Sequence, residues 1–344
     1  MTTPRSRVRD LGIVPGTFEP GPHNAITDVP GIRVGQTTLH EGTRFHTGVT
    51  AIVPTGLPVR KAIPAGLFVG NGYGKLIGAT QLAELGEIET PIILTGTLSA
   101  FRAADALVSW LLDLPGNEDV RSINPLVGET NDGHLSDIRA RPITEQMVRE
   151  ALDNAADGPV LEGCVGAGSG TSALGFKAGI GTSSRRVDGH TIGAIVQANF
   201  SGTLTVLGVP IDADTVLQDV RNEEESADLE RGNSCMIVVA TDAPFDSRQL
   251  DRIARRAVFA MARVGAGYTH GSGDYGIAIS TGEGAHIPDA GLDPFFAATM
   301  ECVEEALLNS VFMAETTHGP DNHVRHAVPA NAVLAQLRQR GITI

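Results

Sequence analysis

The chain has 344 residues, 42% of them hydrophobic, enough to bury a large core in one big domain or in two closely packed layers. Forty acidic residues against 26 basic ones leave a net charge of -14, and no stretch clusters basic side chains, so nucleic acid is excluded as an expected partner. The three cysteines, Cys164, Cys235 and Cys302, show no CxxC spacing, and no apolar run reaches signal-peptide or bilayer-spanning length. We therefore expect reduced thiols, no membrane partner and a cytoplasmic location.

Forty-one glycines with only 4% aromatic residues imply tight turns and close backbone approaches, which suits a layered α/β enzyme better than a helical bundle. Short strands are expected at 32–34, 48–53 and 65–69, each apolar or β-branched between breakers. A helix follows at 80–85, a strand at 91–94, and a longer helix at 100–112, where Ala104, Leu107, Val108, Leu111 and Leu112 recur at helical spacing. Another helix is expected at 144–155, then a glycine-rich stretch, then strands at 190–198 and 203–207 joined as a hairpin around Ser201 and Gly202.

Residues 212–231 are acidic, with Glu223, Glu224 and Glu225 in a row, and read as an exposed linker. Immediately beyond it, Met236, Ile237, Val238, Val239 and Ala240 form the kind of continuous apolar run found in a strand buried on both faces. The next helix, 247–263, carries Leu250, Ile253, Ala254, Ala257, Val258 and Met261 on one stripe and arginines on the other side. A strand at 276–280 and helices at 294–308 and 332–340 complete the chain, without an internal repeat.

At the junction of linker and buried strand lies Gly232-Asn233-Ser234-Cys235, a hydroxyl where accessible chain enters rigid core. Serine needs a base at neutral pH, and no GxSxG elbow is present to supply one through histidine. An N-terminal serine carries its own base, because an α-amine has a reference pKa of about 7.7–8.0. Attack of Ser234 on the Asn233 carbonyl would generate that amine, with Gly232 permitting the strained backbone. A polar turn leading into a strand is the alternative reading. On sequence alone Ser272 and Asp274 are turn formers, Asn199 caps a strand end and Glu129 is one more acid.

The stretches NSCMIVVATDAPFDSRQLDRIARRA and HGSGDYGIAIST, with HNAITDVPGIRVGQTTL, ETPIILTGTLS, PLVGETNDGHLSDI, GFKAGIGTSSR and VQANF, resemble the DmpA-type aminopeptidases in the same order along the chain. That family comprises L-aminopeptidase D-Ala-esterase/amidases and β-peptidyl aminopeptidases. The resemblance implies one layered αββα domain over residues 1–344, cut into a 1–233 α chain and a 234–344 β chain, and homo-oligomers of the αβ unit. It implies Ser234 as nucleophile, Ser272 and Asp274 as the residues that position it, and Asn199 as an oxyanion donor. Glu129 would bind the free amino group of a small peptide, amide or ester, and Lys177 would assist processing at Asn233. Asn131 stands where some members have tyrosine, which bears on substrate range. No cofactor or metal is implied, and His318, His323 and His326 are expected to be solvated or capping, since no HExxH accompanies them.

Endo-type hydrolysis of amide oligomers, acyl transfer, and an uncleaved binding protein are the competing functions. Cys235 is expected in the core. The glycines of 70–74 and 165–170 lack nucleotide-binding order and are expected to let chain pack closely around the substrate.

Overall fold

The computed structural model describes residues 5–57, 61–218 and 234–344. Along the first part of the chain run β1 (Ile32–Glu41), β2 (Phe45–Pro54), β3 (Ile63–Gly72), β4 (Leu76–Ile77), α1 (Ala79–Leu85), β5 (Glu87–Ile88), β6 (Ile92–Gly96), α2 (Ala100–Leu112), β7 (Leu126–Thr130) and α3 (Glu145–Asp153). Five of these strands form one sheet in the order β1-β2-β6-β7-β4, in which only β6 and β7 run parallel.

The second part begins with a small hairpin of β8 (Ser172–Ala173) and β9 (Phe176–Lys177), followed by β10 (Ile180–Val187) and β11 (His190–Asn199). A second small hairpin pairs β12 (Thr205–Val206) with β13 (Val209–Pro210) and precedes α4 (Ala213–Leu217). Then come β14 (Ser234–Thr241), α5 (Ser247–Ala260), β15 (Gly273–Ser280), α6 (Asp293–Phe312), the paired β16 (Thr317–His318) and β17 (Val324–Arg325), and α7 (Ala330–Gln339). The other large sheet is ordered β10-β11-β14-β15-β3-β5, so β3 crosses over to join the later strands.

Side-chain alternation explains the layers. Along β14, Cys235, Ile237 and Val239 pack toward α5 and α6, whereas Met236, Val238 and Ala240 pack against the first sheet through Ile52, Ile92, Leu94 and Leu126. On the far side of that first sheet, Val49, Ala51, Val53, Ile93 and Val127 meet α2 and α3. The result is helix, sheet, sheet, helix: the αββα architecture expected from the resemblance. A Cβ on Gly276 would lie 2.4 Å from Ala254 O of α5, and one on Gly181 would lie 1.9 Å from Ala306 O of α6, so both strand glycines are what let the helices lie close. Asp246 caps α5 by accepting the Gln249 N–H at 2.8 Å, and the Gln249 side chain returns to the Asp246 N–H.

Several expectations are corrected. The three early strands are each ten residues long, because cross-strand pairing continues through their polar ends. No hairpin joins 190–198 to 203–207: β11 pairs with β10 and β14, and Thr205–Val206 turns back on Val209–Pro210. The missed partner, β10, reads as polar, yet Thr182, Ser183, Ser184 and Arg185 are all buried with hydrogen bonds to Ala194 O, Cys302 O, Asp28 and Glu305. Within the stretch expected to be linker, Asp212 caps the short helix α4 through Asp214 N, and Leu217 is buried. Residues 219–231 of that stretch lie outside the described residues. The helix expected to reach residue 263 ends at Ala260 and tightens into a 3-10 turn over Met261–Val264.

Candidate active site

Strand register brings four of the expected site residues, Ser234, Ser272, Asp274 and Asn199, to one end of the second sheet. Antiparallel pairing of β11 with β14 sets Asn199 opposite Ser234, and parallel pairing of β14 with β15 sets Gly273 on the other flank of Ser234. Ser234 is therefore the first residue of a central strand with a neighbour on each side, and it is buried, at 4% exposure. Asn233 lies outside the described residues.

Ser272 and Asp274 bracket Gly273, and both are buried. Ser272 Oγ donates to Asp274 Oδ1 at 2.7 Å, and Asn71 Nδ2 from the end of β3 donates to Asp274 Oδ2 at 2.9 Å. Burial pushes the Asp274 carboxyl up from its ordinary value, and these two donors oppose the shift. The register slips between Asp274 and Tyr275, a local irregularity at the point where β15 enters the site.

On the other flank, the Asn199 side chain is held at both ends: Oδ1 accepts from Ser172 N at 3.1 Å, and Nδ2 donates to Asn131 O at 2.9 Å. Asn131 thus touches Asn199 through its backbone, while its own exposed side chain accepts from Gly133 N at 2.9 Å. Glu129 sits two residues earlier, in the first sheet, on β7, which parallels β6. It is not an exposed acid: its exposure is 2%, and Oε1 accepts from Lys75 N at 2.8 Å. Gly74, whose carbonyl takes the Tyr275 hydroxyl at 2.9 Å, passes between Glu129 and Gly273, and a Cβ there would be 3.3 Å from Glu129 Oε1. The glycine-rich segment 70–74 therefore bridges the two sheets at the site.

Lys177 is fully buried, with Nζ donating to Gly168 O at 3.2 Å and to Ala178 O. Burial pulls its pKa down, opposed by Cys164 and Asp132. Asp132, also buried, is pushed up to about 6, first by burial and further by the Glu129 charge. Asn71, Lys75, Ser172, Thr97 and Asp132 are members of this cluster that sequence reasoning did not single out. Three had a signal: Asp132, an acid inside the quoted GETNDG stretch, Thr97 inside ETPIILTGTLS, and Asn71 inside the glycine-rich segment 70–74.

Cys235 points into the core, and burial raises its thiol pKa well above the ordinary value. His323 stacks on His134 with ring centroids 4.3 Å apart and reaches His134 O through Nδ1, and the His318 carbonyl meets His46 Nε2 at 2.9 Å. Among the described residues no three His, Cys, Asp or Glu side chains gather as a metal-holding group, and no helix is long and apolar enough to cross a membrane.

Two facing sheets between helical layers, with a serine opening a central strand, define a hydrolase of the N-terminal-nucleophile fold, in the variant seen in the l-aminopeptidase d-ala-esterase/amidase of Ochrobactrum anthropi. That structure superposes with a TM-score of 0.87 at 37% identity, over 97% of this chain and 99% of that one. The chain belongs to peptidase family S58, whose model matches residues 24–325. A Burkholderia sp. beta-aminopeptidase structure is 36% identical with a TM-score of 0.89, covering 98% of this chain and 100% of that one. The beta-peptidyl aminopeptidase BapA of Sphingosinicella microcystinivorans is 36% identical over 369 residues, 97% of this chain and 92% of the relative.

Proposed function

We propose that this protein is a self-processing serine aminopeptidase or amidase that releases N-terminal amino acids from small peptides, amides or esters. The observation that carries the reading is the register of three adjacent strand ends, which puts Asn199 and Gly273 on either side of Ser234, with the Ser272–Asp274 pair next to it. In this reading Ser234 attacks the Asn233 carbonyl, the resulting ester hydrolyses, and the chain divides into 1–233 and 234–344. The freed amine of Ser234 then takes the proton of its own hydroxyl as Oγ attacks the substrate carbonyl, and returns it to the leaving amine; water resolves the acyl-enzyme.

Each neighbour has a physical task. Asp274, fixed by Ser272 and Asn71, holds the new ammonium near the nucleophile and supports its proton transfer. An amide nitrogen carries two N–H donors; one on Asn199 is engaged by Asn131 O, and the second serves the developing oxyanion. Glu129 pairs with the substrate's terminal ammonium, which favours free N-termini over chain interiors. The exposed side chain of Asn131, next to the Asn199 amide that its own carbonyl holds, bears on which substrates fit. Lys177 lies in the same buried region and assists the processing step. The working form is a homo-oligomer of αβ units in the cytoplasm, needing no cofactor.

Intact mass measurement of freshly purified protein, followed by N-terminal sequencing, tests the reading. A smaller chain beginning Ser-Cys-Met supports it, and an active single chain of 35.9 kDa overturns it. An amino-acid p-nitroanilide hydrolysed in preference to its N-acylated form distinguishes an aminopeptidase from an endo-acting amide hydrolase or an acyltransferase.

A further inference from the structure

Glu129 already holds an ammonium. Lys75 Nζ lies 3.4 Å from Glu129 Oε1 and 2.8 Å from Thr97 Oγ1, at the junction of β3, β6 and β7. The two partners differ in exposure: the Lys75 side chain is 40% exposed, and the Glu129 side chain only 2%. The backbone N–H of Lys75 donates to the same Oε1 at 2.8 Å, independently of where Nζ goes.

We infer that Lys75 Nζ marks the seat of the substrate's terminal ammonium, and that an incoming amine displaces it to bind between Glu129 and Thr97. The inference rests on the aminopeptidase reading above. A terminal ammonium and a lysine head are the same chemical group, a unit positive charge with three N–H donors, so the acceptors that hold one fit the other. Glu129 Oε1 already accepts both the Lys75 backbone N–H and Nζ, so an ammonium seated between Glu129 and Thr97 takes the place of Nζ, and binding is an exchange. Lys75 can leave because its stem is half in solvent, and its backbone N–H keeps Glu129 aimed when it does. Thr97 then becomes a substrate-binding residue, and Lys75 a residue that sets affinity without touching the reacting atoms. An N-acylated substrate gains nothing from this exchange, since it brings no charge to replace the one expelled.

Steady-state kinetics on an amino-acid p-nitroanilide, with methylammonium as a competing inhibitor, tests the exchange. Where an internal competitor occupies the seat most of the time, its removal in Lys75→Met should lower KM about five- to tenfold and leave kcat within about twofold. Methylammonium should inhibit Lys75→Met competitively at a correspondingly lower concentration, and Lys75→Arg, which keeps a competing cation, should stay near wild type. Thr97→Val in the Lys75→Met background should raise KM again. Thermal melting shows whether each variant is folded, and methylammonium inhibition of the wild type against Thr97→Val gives an arm that does not depend on Lys75 variants. A KM that is unchanged or raised in a folded Lys75→Met protein, or methylammonium inhibition indifferent to both substitutions, overturns this inference alone. A wild-type protein that releases nothing from free-amine substrates overturns the aminopeptidase reading, and this inference with it.

Discussion

At the N-terminal end of the chain the buried carboxylate of Glu305 on α6 takes Arg9 Nε on its two oxygens at 2.9 and 2.8 Å, Arg185 Nη2 of β10 at 2.6 Å, and the Asn24 amide. Beside the candidate active site, the equally buried carboxylate of Asp132 leaves Oδ2 without a hydrogen-bond partner among the described residues, and its pKa is pushed up to about 6. The first carboxylate ties the N-terminal arm, the edge strand of the second sheet and the longest helix into one unit. The second lies among groups whose charges are only partly offset: Glu129 raises it, and Lys177, itself pulled down by burial, lowers it. The Glu305 carboxylate has both oxygens paired, although Arg9 Nη2 and Arg185 Nε beside it have no hydrogen-bond partner among the described residues, whereas the Asp132 carboxylate beside the candidate site is itself left underpaired.

The most severe test of this contrast is Ser234→Ala. It should abolish chain cutting and lower turnover by at least about 10⁴-fold, because nothing else supplies the nucleophile, while the denaturant midpoint stays close to wild type. A protein that loses stability instead would place Ser234 with the frame rather than the site.

Arg185→Met should do the reverse. It leaves Glu305 buried with Arg9 and Asn24 only, and removing one partner from a buried ion pair costs about 3–5 kcal/mol. Urea unfolding should show that loss, while KM of the folded fraction stays unchanged. Asn199→Ala should lower kcat about 100- to 1000-fold, with a small change in KM, if its second N–H meets charge only near the transition state. An equal change in KM and kcat/KM, with kcat preserved, would reassign it to ground-state binding.

The smallest expected effect is on stability at Asp132, and its sign follows from linkage. A folded pKa raised to about 6 from 3.8 means that the native protein keeps a proton the unfolded chain has lost within that window. The neutral carboxyl's contribution is therefore complete below the unfolded value and is lost as pH rises through the folded one. Asp132→Asn stays neutral throughout, so its unfolding free energy in urea should exceed that of the wild type above pH 6, by an amount on the order of 1–3 kcal/mol, with the gap closing toward pH 4. A gap that widens on acidification would show that Asp132 is ionised and well paired in the folded protein.

Much of this arrangement was legible before any coordinates. The boundaries of α2 and the doubly buried β14 follow from apolar pattern, which is a local property of the chain, the core position of Cys235 follows from its place at the start of that strand, and the αββα layering was implied by the family resemblance alone. The expected site residues Ser234, Ser272, Asp274 and Asn199 do meet at one sheet end, though nothing local to Asn199 says that it will lie across from Ser234. The polar strand β10 was invisible for the opposite reason. Its Thr182, Ser183, Ser184 and Arg185 look like surface until β11, α6 and the N-terminal arm supply their partners.

What the amino-acid order determined by itself is therefore the set of strands and helices with clear hydrophobic period, and the family pattern that marks Ser234. Only the tertiary structure decided that β3 would cross into the second sheet, that Gly74 and Lys75 would thereby cover Glu129, and that Asp132 would be buried beside Lys177. The physical reason is range. Periodicity is settled among residues a few positions apart, whereas register, burial of polar groups and the charge felt by each carboxylate depend on segments far apart in the chain, as the separations of 54 for Lys75–Glu129 and 203 for Asn71–Asp274 show.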